Sequence, residues 1–237
     1  MESSKDFKRI YVWQIPVRIF HWLNALCIVV LSITGLIIAN PPALMSSAEA
    51  SNQYLFGWVR VVHFSTAYFF AGVMVLRIYW SFVGNRYASW RYFIPATKKA
   101  WHNIFHVLTH DILLIPVKNK KLSDISVGHN YLAAASYFFM FLVALVILFT
   151  GFGLYSNNAS WWFPKMFAWV VPALGGDFAA RMIHHIGMWL IWFVVIIHVY
   201  LVLFHDWLEV RGETSAMLSG YKFVRKDRIS ENKEEQV

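Results

Sequence analysis

The apolar positions of this chain fall into four long blocks separated by polar and charged connections. The blocks run over about residues 19–38, 61–83, 131–155 and 183–203. Each matches the roughly 20 consecutive apolar residues that a helix needs to cross a hydrocarbon layer. In lipid the backbone must satisfy its own hydrogen bonds, so apolar blocks of this length read as helices. Asn40-Pro41-Pro42 closes the first block, because proline cannot continue a helix. Gly151 and Gly153 mark the end of the third. The expected fold class is therefore all-α integral membrane, a four-helix transmembrane bundle. Segment 95–117 is apolar but too broken to span, and is expected to lie along the membrane interface.

Charge adds a direction. Four lysines and arginines lie in 1–18, seven in 84–129 and six in 209–237. Only Arg60, Lys165 and Arg181 lie in 41–60 and 153–182. Short cytoplasmic loops carry the excess of Lys and Arg. Both termini are therefore expected in the cytoplasm, and an even number of helices, which puts them on one side, agrees. The expected organisation is a cytoplasmic segment 1–18, a membrane domain 19–208 with a cytoplasmic loop 84–129, and a cytoplasmic tail 209–237. Residues 227–237 read as a disordered charged end. Ala48-Glu49-Ala50 resembles a signal-peptide cleavage site, but the preceding run is longer than such a peptide needs and opens with a histidine. The first helix is expected to be retained.

Composition supports lipid as the solvent. Charged residues make up 14% of the chain, against about 25% in soluble domains. The net charge of +8 sits in the connections, where it reads as a topology signal and not as a nucleic-acid footprint. The single cysteine, Cys27, excludes an intrachain disulfide, a Cys-ligated iron–sulfur cluster and covalent c-type haem attachment. Metal chemistry would have to rest on the 10 histidines.

Ionisable side chains within spans are costly, and each is a functional hypothesis. His184 and His198 are 14 positions apart, a rotation about 40° short of four full turns and a rise of roughly 21 Å. They share a helix face, one near each membrane surface. His21 opens the first helix and matches the depth of His198. His63 opens the second and matches His184. Two pairs at two depths can clamp two haems, His63 with His184 and His21 with His198. With both axial positions filled, such irons transfer electrons and leave no place for substrate. His185 is rotated about 220° from His198, so His184 is the favoured ligand of the doublet. His205 shares the face of His198 but lies at the interface. His102, His106, His110 and His129 fall in the 84–129 loop. Arg60 and Arg77 are candidates to pair with haem propionates through the planar guanidinium, and snorkelling explains Arg77 as well. Gly35, Gly72, Gly151 and Gly187 suit either a flat macrocycle or close helix packing.

From about residue 11 to 228 the chain resembles the b-type cytochrome subunits of membrane-bound nickel–iron uptake hydrogenases. The resemblance is carried by Pro16-Val17-Arg18-Ile19-Phe20-His21-Trp22, Arg60-Val61-Val62-His63-Phe64-Ser65, Arg77-Ile78-Tyr79-Trp80 and Phe82-Val83-Gly84-Asn85-Arg86-Tyr87. Further on it rests on Gly128-His129-Asn130, on Thr150-Gly151-Phe152-Gly153-Leu154-Tyr155-Ser156, on the fourth-helix histidines and on Gly220-Tyr221. It implies a di-haem anchor in the bacterial inner membrane for a periplasmic iron–sulfur small subunit and nickel–iron large subunit. Electrons from H2 would pass through two haem b groups to membrane quinone. His21, His63, His184 and His198 would be the axial ligands, and His129 and Asn130 would lie near the quinone. The His184-His185 doublet departs from the pattern.

Three other readings compete. The b-subunit of a formate dehydrogenase or another periplasmic oxidoreductase would share the same helices and histidines. A haem-free anchor or transporter subunit would show no Soret band. A transmembrane ferric reductase would need a flavin or NADPH domain, for which no Gly-rich loop is present. With no cysteine cluster and no open metal position, the chain is expected to be an electron-transferring subunit that cannot oxidise H2 alone.

Overall fold

A computed structural model describes residues 7–42, 54–94, 98, 101–102, 131–209 and 212–225. His129, Asn130, the 48–50 triplet, most of the 95–117 segment and the 227–237 tail lie outside the described residues. The four expected spans are present as α1 (Ile15–Ala39), α2 (Leu55–Val83), α3 (Tyr131–Ser156) and α4 (Asp177–Glu209). All four are long and apolar enough to cross a membrane. Each extends to or past its apolar block. The 33 residues of α4 would reach about 50 Å, well beyond the roughly 30 Å hydrocarbon core. Asp177 opens α4 where the helix dipole favours an anion, and Arg181 reaches back to it at 3.1 Å. Both side chains are exposed, so the pair adds little.

Small and polar side chains share the buried positions of the spans with large apolar ones such as Phe20, Phe70, Val143 and Ile191. Buried positions on the spans include Cys27, Ser32, Thr34, Ala134, Ala144, Thr150, Ser156 and Ala180. The exposed positions include Leu26, Val29, Ile33, Leu76, Leu142, Phe193 and Ile196. Small and polar groups face inward because lipid tails solvate the large apolar ones, and close backbone approach then drives helix association.

The chain divides into two compact units. Pro16–Trp80 holds most of α1 and α2. Within it, Thr34 near the end of α1 meets His63 near the start of α2, so the two helices run antiparallel. The second unit comprises Met1–Ile15 and Ser81–Val237. There α3 and α4 pack antiparallel so closely that a Cβ on Gly187 would lie 2.6 Å from Ile147 Cγ1. The connection between them is packed rather than open. Single helical turns at Trp162–Lys165 and Val170–Ala173 fold back on the end of α3. Phe149, Phe152, Phe163 and Phe167 meet there with ring centroids 5.0 to 5.6 Å apart. Gly153 admits the Phe167 carbonyl, which would lie 3.2 Å from an added Cβ.

The second unit also holds a two-stranded antiparallel pair. Strand β1 (Phe7–Tyr11) pairs antiparallel with β2 (Tyr221–Arg225), from Phe7 opposite Arg225 to Tyr11 opposite Tyr221. A short helix, α5 (Glu213–Ser219), leads into β2. It ends on Gly220 at φ +87, a left-handed position that favours glycine. The Gly220 carbonyl accepts both Val12 N–H at 2.9 Å and Trp13 N–H at 3.1 Å. Asn85 locks the same place: its amide donates to the Val12 carbonyl, its backbone N–H donates to Gln14 Oε1, and its Oδ1 accepts from Ala88 N–H. The Gly84-Asn85-Arg86-Tyr87 and Gly220-Tyr221 motifs thus build a clasp between the two ends of the chain. The clasp places residues 7–11 and 221–225 on one side of the membrane, as four spans demand.

Candidate functional site

The most specific chemistry lies where histidines meet threonine–glycine pairs. In the Pro16–Trp80 unit, Thr34 Oγ1 lies 2.8 Å from His63 Nδ1. The same hydroxyl lies 2.7 Å from the Val30 carbonyl, four residues back. The two distances suit a hydroxyl that donates its one proton to the Val30 carbonyl and accepts from His63 Nδ1–H. In the neutral ring the lone pair is then on Nε2, the nitrogen that can bind a metal. Gly35, next to Thr34, makes room for the ring: an added Cβ would sit 3.3 Å from His63 Cε1.

The second unit repeats the arrangement with different helices. Thr150 Oγ1 donates to the Val146 carbonyl at 2.7 Å and lies 3.0 Å from His184 Nδ1. His184 Nδ1 is also 3.0 Å from the Ile147 carbonyl. Two oxygens that need a proton from this nitrogen fix it as N–H, and again the lone pair is on Nε2. Gly151 takes the part of Gly35, more tightly, with a Cβ position 2.9 Å from His184 Cε1. His63 lies eight residues into α2 and His184 seven into α4, about 12 and 10 Å along their helices.

The doublet separates by environment. His184 points at α3, whereas His185 stacks edge-on to Trp189 at 6.3 Å and lines a shallow surface depression with Phe178, Arg181 and Met182. His198 is half-buried on α4, with Tyr137 Oη 3.3 Å from its Nδ1. His21 is half-buried on α1, edge-on to Trp22 at 5.0 Å. Arg60 is exposed, with its guanidinium 5.7 Å from the Phe64 ring centre. Arg77 is half-buried on α2. His21 and His63 thus belong to one unit, and His184 and His198 to the other.

Thr34, Thr150, Tyr137 and the Ile147 carbonyl were not singled out in the sequence as partners of the histidines. The available signal was the dipeptide Thr-Gly, present in α1 and again in α3. The structure also sorts the glycines. Gly35 and Gly151 admit imidazole rings, Gly187 admits Ile147, and a Cβ on Gly72 would meet nothing within 4 Å.

The donor set fits haem iron, which takes neutral imidazole Nε2 with the other ring nitrogen held by an oxygen. Span-borne histidines presented in this way define a membrane cytochrome of the b type. The chain belongs to the prokaryotic cytochrome b561 family, whose match covers residues 12–220. It is similar to the "Probable Ni/Fe-hydrogenase B-type cytochrome subunit" of Cupriavidus necator, 39% identical over 224 residues that cover 93% of this chain and 89% of that one. The "Probable Ni/Fe-hydrogenase 1 B-type cytochrome subunit" of Escherichia coli K12 is 36% identical over 239 residues, 98% of each chain. The Azotobacter vinelandii protein named like the first is 35% identical over 231 residues, 96% of this chain and 94% of its own. The expected family, haem b, electron transport and a multi-pass place in the bacterial inner membrane are borne out together.

Proposed function

We propose that this chain is the di-haem membrane subunit of a nickel–iron hydrogenase, carrying electrons from H2 oxidation in the periplasm to membrane quinone. The observation that supports it most is the twin set of threonine-held histidines, one in each unit, at similar distances from the starts of α2 and α4. His63 and His184 then serve as the axial pair near the periplasm, and His21 and His198 as the pair near the cytoplasm. Haem, when bound, supplies a one-electron couple at each level. The protein's residues supply the axial nitrogens, and Arg60 and Arg77 are the candidate propionate partners. The small and large hydrogenase subunits dock on the periplasmic side, and both termini lie in the cytoplasm, as the Lys and Arg distribution requires. His129 and Asn130 are assigned to the quinone end on the motif alone. The names of the relatives favour a hydrogenase partner over a formate dehydrogenase.

The test uses the assembled complex. His21→Ala or His198→Ala should leave H2 oxidation with a soluble artificial acceptor intact, because that chemistry lies upstream. Quinone reduction should fail. Quinone reduction at the normal rate after loss of the cytoplasm-side haem would overturn the route.

A further inference from the structure

The threonine contacts invite a bland account. Thr in a membrane helix commonly satisfies its hydroxyl on the carbonyl four residues back, and Thr34 and Thr150 both do so at 2.7 Å. That habit explains neither the histidine nitrogen at 2.8 and 3.0 Å nor the glycine that follows each threonine and faces the same ring. Three features recur together in two separate helix pairs: a hydroxyl within 2.7 Å of a backbone carbonyl, an imidazole Nδ1 in hydrogen-bond range, and a missing Cβ where the ring must pass.

We propose that Thr34 and Thr150 are positioning residues that lock His63 and His184 in the Nδ1–H tautomer, aim Nε2 at iron, and lower the reduction potential of the haem they hold. The inference rests on the reading of His63 and His184 as haem ligands. An Nδ1–H that donates to a good acceptor makes the imidazole a more basic ligand. A more basic ligand favours the more highly charged ferric iron over the ferrous form, so the potential falls. His184 has two acceptors, Thr150 Oγ1 and the Ile147 carbonyl, so it keeps one when Thr150 is changed. Thr34→Val takes the Thr34 oxygen away from His63 Nδ1.

The experiment is a potentiometric titration of the purified full-length chain, followed by optical spectra and by the EPR of the low-spin ferric signals. The variants are Thr34→Val, Thr34→Ser, Thr150→Val and Thr150→Ser, with His63→Ala and His184→Ala in the same series. Valine keeps the shape and removes the oxygen. In Thr34→Val the ferric-over-ferrous preference of one haem should fall about tenfold, a rise of about 59 mV for a one-electron couple. Its g-values should shift while the other haem stays put, and Thr150→Val should move the same haem in the same direction. Serine restores the hydroxyl and should return both readings to wild type. Loss of one haem in a valine variant, with retention in its serine partner, also supports the proposal. Unchanged midpoints and g-values in both valine variants overturn it, as does serine behaving like valine. If His63→Ala and His184→Ala keep full haem, the ligand reading has failed. If they lose haem while the valine variants are silent, only the positioning role has failed.

Discussion

Adding one methyl group at three glycines should produce three graded outcomes. In Gly151→Ala the new Cβ would sit 2.9 Å from His184 Cε1 and 3.5 Å from Nδ1. Optimal carbon–carbon contact is about 3.5–4.0 Å, so the ring or the α3 backbone must yield by more than half an ångström. The ring cannot yield freely, because Thr150 and the Ile147 carbonyl hold its Nδ1 at 3.0 Å. Overpacking of this kind costs about 1–3 kcal/mol, and a lost hydrogen bond adds about 0.5–1.5 kcal/mol. At about 1.4 kcal/mol per factor of ten, haem affinity at His184 should drop roughly 10- to 1,000-fold. In Gly35→Ala the contact is 3.3 Å to His63 Cε1, which a shift of a few tenths of an ångström relieves. The haem should stay, with a small spectral shift. Gly72→Ala meets nothing within 4 Å and should gain the roughly 0.5–1 kcal/mol by which alanine outranks glycine in a helix. The assay is a pyridine haemochrome per chain, combined with the reduced-minus-oxidised spectrum and thermal unfolding in detergent. Equal effects at Gly35 and Gly151, or full haem at the wild-type affinity in Gly151→Ala, would refute the steric reasoning.

Other expected outcomes test the frame around the site. Gly187→Ala drives a methyl to 2.6 Å from Ile147 Cγ1; it should cost about 1–3 kcal/mol of stability in detergent melts and be rescued by Ile147→Ala. Gly220→Ala combines a φ of +87 with a Cβ 2.6 Å from Tyr11 Cε2 and 2.7 Å from the Trp13 carbonyl, so limited proteolysis should release the chain ends while the haem spectrum is unchanged. Asn85→Ala removes the bonds to the Val12 carbonyl and the Ala88 N–H; hydrogen exchange at residues 7–13 should rise by the factor of about 5–140 that about 1–3 kcal/mol implies.

Much of the fold was legible because lipid makes a coarse demand: long apolar blocks, broken by Pro41 and by charge, are helices. The clasp was not legible. Phe7–Tyr11 and Tyr221–Arg225 are each five residues long, over 200 positions apart, and carry Lys and Arg that read as topology signals. A two-stranded pair at that separation has no local signature. Asn85 and Gly220 were visible as motif residues, but their partners were not. At the site, the depth argument picked out His63 and His184 from helical geometry alone, and the rotation argument chose His184 over His185. In the structure His184 lies against Thr150 of α3, and His185 lines a surface depression. The Thr34 and Thr150 contacts were hidden because they depend on which side chain of a neighbouring helix stands opposite, and periodicity along one helix does not carry that information. Helix ends were also underestimated, most of all in α4, where Asp177–Met182 and the residues after Leu203 extend the apolar block with polar turns.

The central claim is that four histidines form two axial pairs, and its most direct measurement is haem content after each is replaced singly by alanine. The purified wild-type chain should give about two haems by pyridine haemochrome. His63→Ala and His184→Ala should each lose the same spectral and potentiometric component, and His21→Ala and His198→Ala should each lose the other. His185→Ala should keep both. A folded wild-type chain without haem, or a His63→Ala variant that loses the component retained in His184→Ala, would contradict the account.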